Sequence, residues 1–133
     1  MATLSFTESF GAYGAKLANP MWANSALADD GALVISCWSH KLKLHEKVLT
    51  YTDHLSRWQH NTPGKNLLIE HLTKAHQEKL PARLVIATTD QPDVVERGED
   101  ASTIRKTFHI REDVVGSVTV FDGDEFILEF RRR

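Results

Sequence analysis

Phe6, Phe10, Tyr13 and Leu17 recur at spacings of three and four, the repeat of one face of an α-helix. Thr3 or Ser5 can cap such a helix and Gly14 can stop it, so the pattern predicts a short amphipathic helix over roughly 5 to 14. Asn19-Pro20 blocks continuation, because proline pushes the residue before it out of the α region. Two apolar runs follow, 21 to 28 and 32 to 39, separated by Asp29-Asp30-Gly31. Asp-Gly between apolar runs predicts a hairpin closed by a type I′ turn, in which both central residues take positive φ.

Basic residues then alternate irregularly with Leu42, Leu44, Val48, Leu49 and Tyr51, which predicts an exposed loop leading to a short strand. Asp53 can cap a short helix containing Leu55 and Trp58. Thr62-Pro63 opens a longer helix over roughly 63 to 79, with Leu67, Leu68, Leu72, Ala75 and His76 on one stripe and Pro81 as the stop. Residues 83 to 89 are rich in β-branched residues and nearly continuously apolar in the middle, as in a central strand buried on both faces. A polar stretch from 90 to 102 predicts a long loop with one helical turn between Pro92 and Gly98, and loops of that length carry function or move. Three more strands close the chain, the last with Phe126, Leu128 and Phe130 alternating against Ile127 and Glu129.

The predicted fold class is α+β: a strongly bent, mostly antiparallel sheet or small PUA-like barrel of about six strands, with one long helix and one or two short ones. At 133 residues, 1 to 133 is expected to form a single domain. One cysteine, Cys37, excludes an internal disulfide and points to a reducing, cytoplasmic compartment. Neither a signal sequence nor a membrane-spanning run is expected. A formal net charge of −2 argues against coating nucleic acid by bulk electrostatics, so any phosphate contact has to be local. Lys41 and Lys43, with Lys106 and Arg111, are the candidates for it. The three closing arginines read as a solubilising tail.

Seven histidines invite a metal or acid–base reading, but His71 and His76 are five apart on the predicted helix, where a zinc-binding helix spaces them by four. Asp122, Asp124, Glu125 and Glu129 are explained by a tight turn at Asp122-Gly123. Nucleophile elbows, phosphate-binding glycine loops and dinucleotide fingerprints are missing from the sequence. No catalytic residue, no metal ligand and no cofactor is therefore expected. Trp22 and Trp38 sit near the open ends of the first predicted hairpin as cross-strand neighbours, and Asn19, Asn24 and Ser25 surround them with amide and hydroxyl groups. Rings beside amides suit a site that stacks a base and reads its polar edge. The same rings can instead be core residues, and both readings stay open.

The stretch from Tyr13 to Ala28, with the following Asp-Asp-Gly and Val-Ile-Ser-Cys-Trp38, resembles a prokaryotic domain found alone or beside HNH-type endonucleases in restriction-like proteins. Asn19, Trp22, Ser25, Ala26 and Trp38 match that family's pattern, while Asn24 stands where a second tryptophan is usual. The order of elements is similar to PUA, EVE and related small barrels, which include readers of modified bases. The resemblance implies a non-catalytic nucleic-acid binding domain, DNA preferred to RNA, in a prokaryotic defence or nucleic-acid-processing setting. Asn19, Trp22, Asn24, Ser25 and Trp38 would then bind the base, and Lys41, Lys43, Lys106 and Arg111 the phosphates. No HNH module accompanies it. An interaction module or small inhibitor, binding a protein partner or a second copy through exposed aromatics and the 90 to 102 loop, is the alternative; a site completed only at a dimer interface ranks last.

Overall fold

The computed structural model describes residues 4–19, 23–57, 62–97 and 104–133. Helix α1 (Phe6–Gly11) is shorter than its periodicity suggests; Ser5 and Glu8 form a reciprocal capping box at its start. Strands β1 (Ser25–Leu27) and β2 (Leu33–Trp38) make the expected hairpin with Ser25 opposite Ile35. Its turn differs from the predicted one. Gly31 alone takes positive φ, at 90°, and its amide donates to the Ala28 carbonyl, while the Asp30 carboxylate accepts from Ala32 N. A three-residue loop therefore replaces the two-residue type I′ turn.

The region expected as a loop is a second hairpin, β3 (Leu42–His45) with β4 (Val48–His54), reached from β2 through a single 3-10 turn at Ser39–Lys41. Asp53 belongs to β4 rather than to a helix cap, and a 3-10 turn, Leu55–Arg57, follows it up to the end of that described segment. Helix α2 (Thr62–Glu78) matches its predicted span. It ends on Lys79 at φ 55°, a conformation usually left to glycine, with Leu80 N bonded to Ala75 O. Then come β5 (Ala82–Thr89), the short α3 (Pro92–Glu96), β6 (Lys106–Ile110), β7 (Val114–Phe121) and β8 (Glu125–Arg132). Arg131 and Arg132, expected in a solvated tail, pair with Val115 and Val114 of β7.

The eight strands of the described residues form one curled, mostly antiparallel sheet in the order β1-β2-β5-β7-β8-β4-β3, with β6 also paired to β5, an arrangement consistent with a small PUA-like fold. Among them only β2 and β5 run parallel. β5 meets β7 at the single pair Ala82 and Gly116, and gives its remaining length to β6. At Gly116 a Cβ would lie 2.5 Å from Phe130 Cδ1 and nearer still to the Glu129 carbonyl oxygen, so the fork needs a residue without a side chain.

Two apolar layers sandwich β2 and β5. On one face Leu68, Leu72 and Ala75 of α2 pack with Leu33, Ile35, Cys37, Leu84, Leu128 and Phe130; on the other Phe10 of α1 packs with Ala26, Val34 and Val85. Burial on both faces accounts for the uninterrupted apolar run in β5. Among the described residues no helix is long and apolar enough to cross a membrane.

Candidate functional site

Strand alternation sorts the predicted base-binding residues before any ligand is considered. Ser25 shares the α2 face with Ile35, is 0% exposed, and holds its Oγ 2.8 Å from His71 Nδ1. That hydroxyl is committed inside and is not offered to a ligand. Asn24 lies one step earlier, its carbonyl accepting from Ser36 N, which puts it on the opposite face with Ser36. Its Oδ1 is buried with no hydrogen-bond partner. Asn19 is partly exposed and its carbonyl accepts from Ala23 N. Trp22 lies outside the described residues, as do Trp58 and His60.

Trp38 ends β2 opposite Ala87, partly exposed and partly packed on the core. Its indole is 6.2 Å from the His40 ring, centroid to centroid, at an interplanar angle of 37°. Beyond His40 opens a depression of about 260 Å³ lined by His40, Lys41, Lys43, Thr50, Thr52 and Glu96. Cross-strand pairing places Lys43 beside Thr50, and Thr52 lies two residues along the same face.

The predicted phosphate contacts have unequal freedom. Lys41 Nζ is 3.1 Å from Glu96 Oε1 and 3.7 Å from Asp53 Oδ1. Arg111 spends its guanidinium on both oxygens of Asp113, each at 2.8 Å. Lys106 begins β6 opposite Thr89, at the same end of β5 as Trp38, whereas Arg111 follows the other end of β6, about 17 Å away at ~3.4 Å per residue. Lys41 and Lys43 thus line the depression, Lys106 lies toward the same end of β5 as Trp38, and Arg111 lies toward the other end. Lys43 has no side-chain hydrogen bond or ion pair among the described residues, which leaves its charge available.

Beneath the depression lies a charged cluster that sequence reading missed. Asp53 is 1% exposed and accepts from Arg57 Nε at 2.9 Å, Arg57 Nη2 at 2.6 Å, Tyr51 Oη at 3.1 Å and its neighbour's amide, His54 N, at 2.8 Å. Arg57 Nη1 continues to the Val95 carbonyl of α3. Burial pulls the Arg57 pKa down, and the Asp53 carboxylate outweighs it, so the guanidinium is held firmly charged. On Glu96, partial burial pushes the carboxyl up, but hydrogen bonds from His40 and Lys41 bring it below its ordinary range. Burial raises the Cys37 thiol well above its usual value, with Asp53 adding to it, so Cys37 is an inert core residue. Signals for this cluster existed in the alternation of Tyr51 and Asp53 and in the acidic 90 to 102 stretch that supplies Glu96. Among the described residues no group of three His, Cys, Asp or Glu side chains is placed to hold a metal ion.

No protein-family model matches the chain, and no curated protein matches it. The crystal structure of KRYPTONITE in complex with mCHH DNA, H3(1-15) peptide and SAH is similar at 13% identity and a TM-score of 0.36, over 99% of this chain and 26% of that one. A similarity that low does not bear on the site, which rests on its own residues.

Proposed function

We propose that the chain binds a nucleic-acid base or nucleotide, a modified base included, without catalysing a reaction by itself. The observation that carries this reading is the partly exposed Trp38 indole beside His40, which lines a small polar depression where Lys43 has no ion-pair partner among the described residues. Stacking on an aromatic face tolerates any base. The depression, about 260 Å³, lies just below the roughly 300–1,000 Å³ of small-molecule sites, room for the phosphate end of a nucleotide whose base rests outside it. Lys43 and Lys106 supply phosphate contacts; Lys41 contributes once its carboxylate partners yield. A prokaryotic defence or nucleic-acid-processing protein is the setting we propose, on the sequence resemblance alone.

Fluorescence anisotropy with modified and unmodified single- and double-stranded oligonucleotides tests it. Trp38→Ala is expected to weaken binding by about 1–3 kcal/mol, the usual worth of one stacked base, with the circular dichroism spectrum retained. Binding that survives the substitution undiminished excludes the site. A protein partner is a second reading, favoured by a different place: Leu44 is 74% exposed on β3, whose outer edge is open. Leu44→Lys would then abolish self-association or partner capture while oligonucleotide binding stayed unchanged.

A further inference from the structure

Glu96 already occupies the anion position of the depression. Its Oε2 is 3.1 Å from His40 Nε2, and Lys41 Nζ reaches Oε1 at 3.1 Å and Oε2 at 3.4 Å. Lys41 and Arg57 both lean on Asp53, so among the described residues the fixed charges Lys41, Lys43 and Arg57 face the carboxylates Asp53 and Glu96. An anion that takes over the His40 Nε2 and Lys41 Nζ positions now held by Glu96 displaces that carboxylate. That carboxylate is able to leave: its side chain is 47% exposed and sits at the end of the five-residue α3, which stays anchored by buried Val95 and by Arg57.

The exchange separates two kinds of phosphate. An internal phosphodiester brings one negative charge, replaces one negative charge, and leaves Glu96 unpaired beside it. A phosphate monoester carries about −1.5 to −2 at pH 7 and three acceptor oxygens, enough to engage Lys43 and His40 together with Lys41 and outweigh the lost carboxylate contacts. Resting on the base-binding reading above, we infer that the depression selects a terminal phosphate monoester, on a nucleotide or a nucleic-acid strand end, over an internal phosphodiester, and that Glu96 enforces the choice. The base of the same nucleotide lies against Trp38, adjacent to His40.

The test compares one oligonucleotide sequence with a 5′-phosphate, a 3′-phosphate or two hydroxyl ends, alongside the mononucleotide and inorganic phosphate. One phosphorylated end is expected to bind at least about tenfold more tightly than the hydroxyl-ended strand, a step typical of charge-assisted bonds. Competition by the mononucleotide but not by inorganic phosphate assigns the ligand to a nucleotide; competition by inorganic phosphate alone, without any Trp38-dependent gain from a base, overturns the nucleotide assignment. Glu96→Gln is expected to strengthen hydroxyl-ended binding and shrink the ratio, and Lys43→Ala to lower affinity for the phosphorylated end. Equal binding of all three strands, still lost in Trp38→Ala, overturns the monoester preference and leaves base binding standing. Absence of any Trp38-dependent binding overturns both. An unchanged ratio in Glu96→Gln removes Glu96 from the selection.

Discussion

Asp53 shows how much one residue can hold. A carboxylate at 1% exposure survives only because four donors surround it, and removing it would strand Arg57, whose side chain is 13% exposed. Asp53→Ala is expected to lower unfolding free energy by about 3–5 kcal/mol in a urea titration, and the double variant with Arg57→Ala to cost less than the two single variants together. His71 makes a pH prediction. Burial lowers its pKa from the ordinary 6.5, so the unfolded chain takes up a proton at a pH where the folded chain does not. Stability therefore falls as pH drops through about 6.5, and this loss ends once the folded ring protonates as well. Unfolding midpoints of the wild type and His71→Gln, taken across that window, should diverge toward neutral pH and show a shallower dependence in the variant. The sequence made Ser25 and Asn24 look like partners in one site. Their adjacency in a strand already meant opposite faces, and that signal could have separated them.

At the scale of elements, α2, β5 and β8 were legible because their apolar spacing has one interpretation: a stripe, a continuous buried run, and the alternation of Phe126, Leu128 and Phe130, all of which are buried. The β3–β4 hairpin was not. Its turn residues Glu46 and Lys47 take φ of 49° and 68°, the two left-handed positions of a type I′ turn, without the Asn-Gly that would announce it. L-residues cost about 1–2 kcal/mol each in that conformation. Replacing the pair by Glu46→Asn and Lys47→Gly is expected to stabilise the protein by about 1 kcal/mol, seen as a higher melting temperature. The same hairpin bears Lys43, Thr50 and Thr52, so a missed turn hid half the lining of the depression.

For the whole molecule, a net charge of −2 with only a few cations near Trp38 limits electrostatic contact to about two phosphates. The slope of log K against log salt for a single strand should accordingly be shallow, about −1.4, and a flat line or a slope several-fold steeper would each refute the local contact proposed.

Periodicity, turn glycines and capping residues were sufficient to establish an α+β chain with a bent sheet, a long helix over roughly 63 to 79 and a buried central strand, because these depend on neighbours a few positions away. The tertiary structure alone decided that the described residues build an eight-stranded sheet, that Lys41, Asp53, Arg57 and Glu96 meet, and that Arg111 lies beyond the opposite end of β6 from Lys106. Asp53 and Glu96 are brought together by the curl of the sheet and the return of the chain through α2 and β5. Charge pairing at such separations leaves no periodic trace along the chain, since Coulomb attraction depends on distance in space and not on order in sequence.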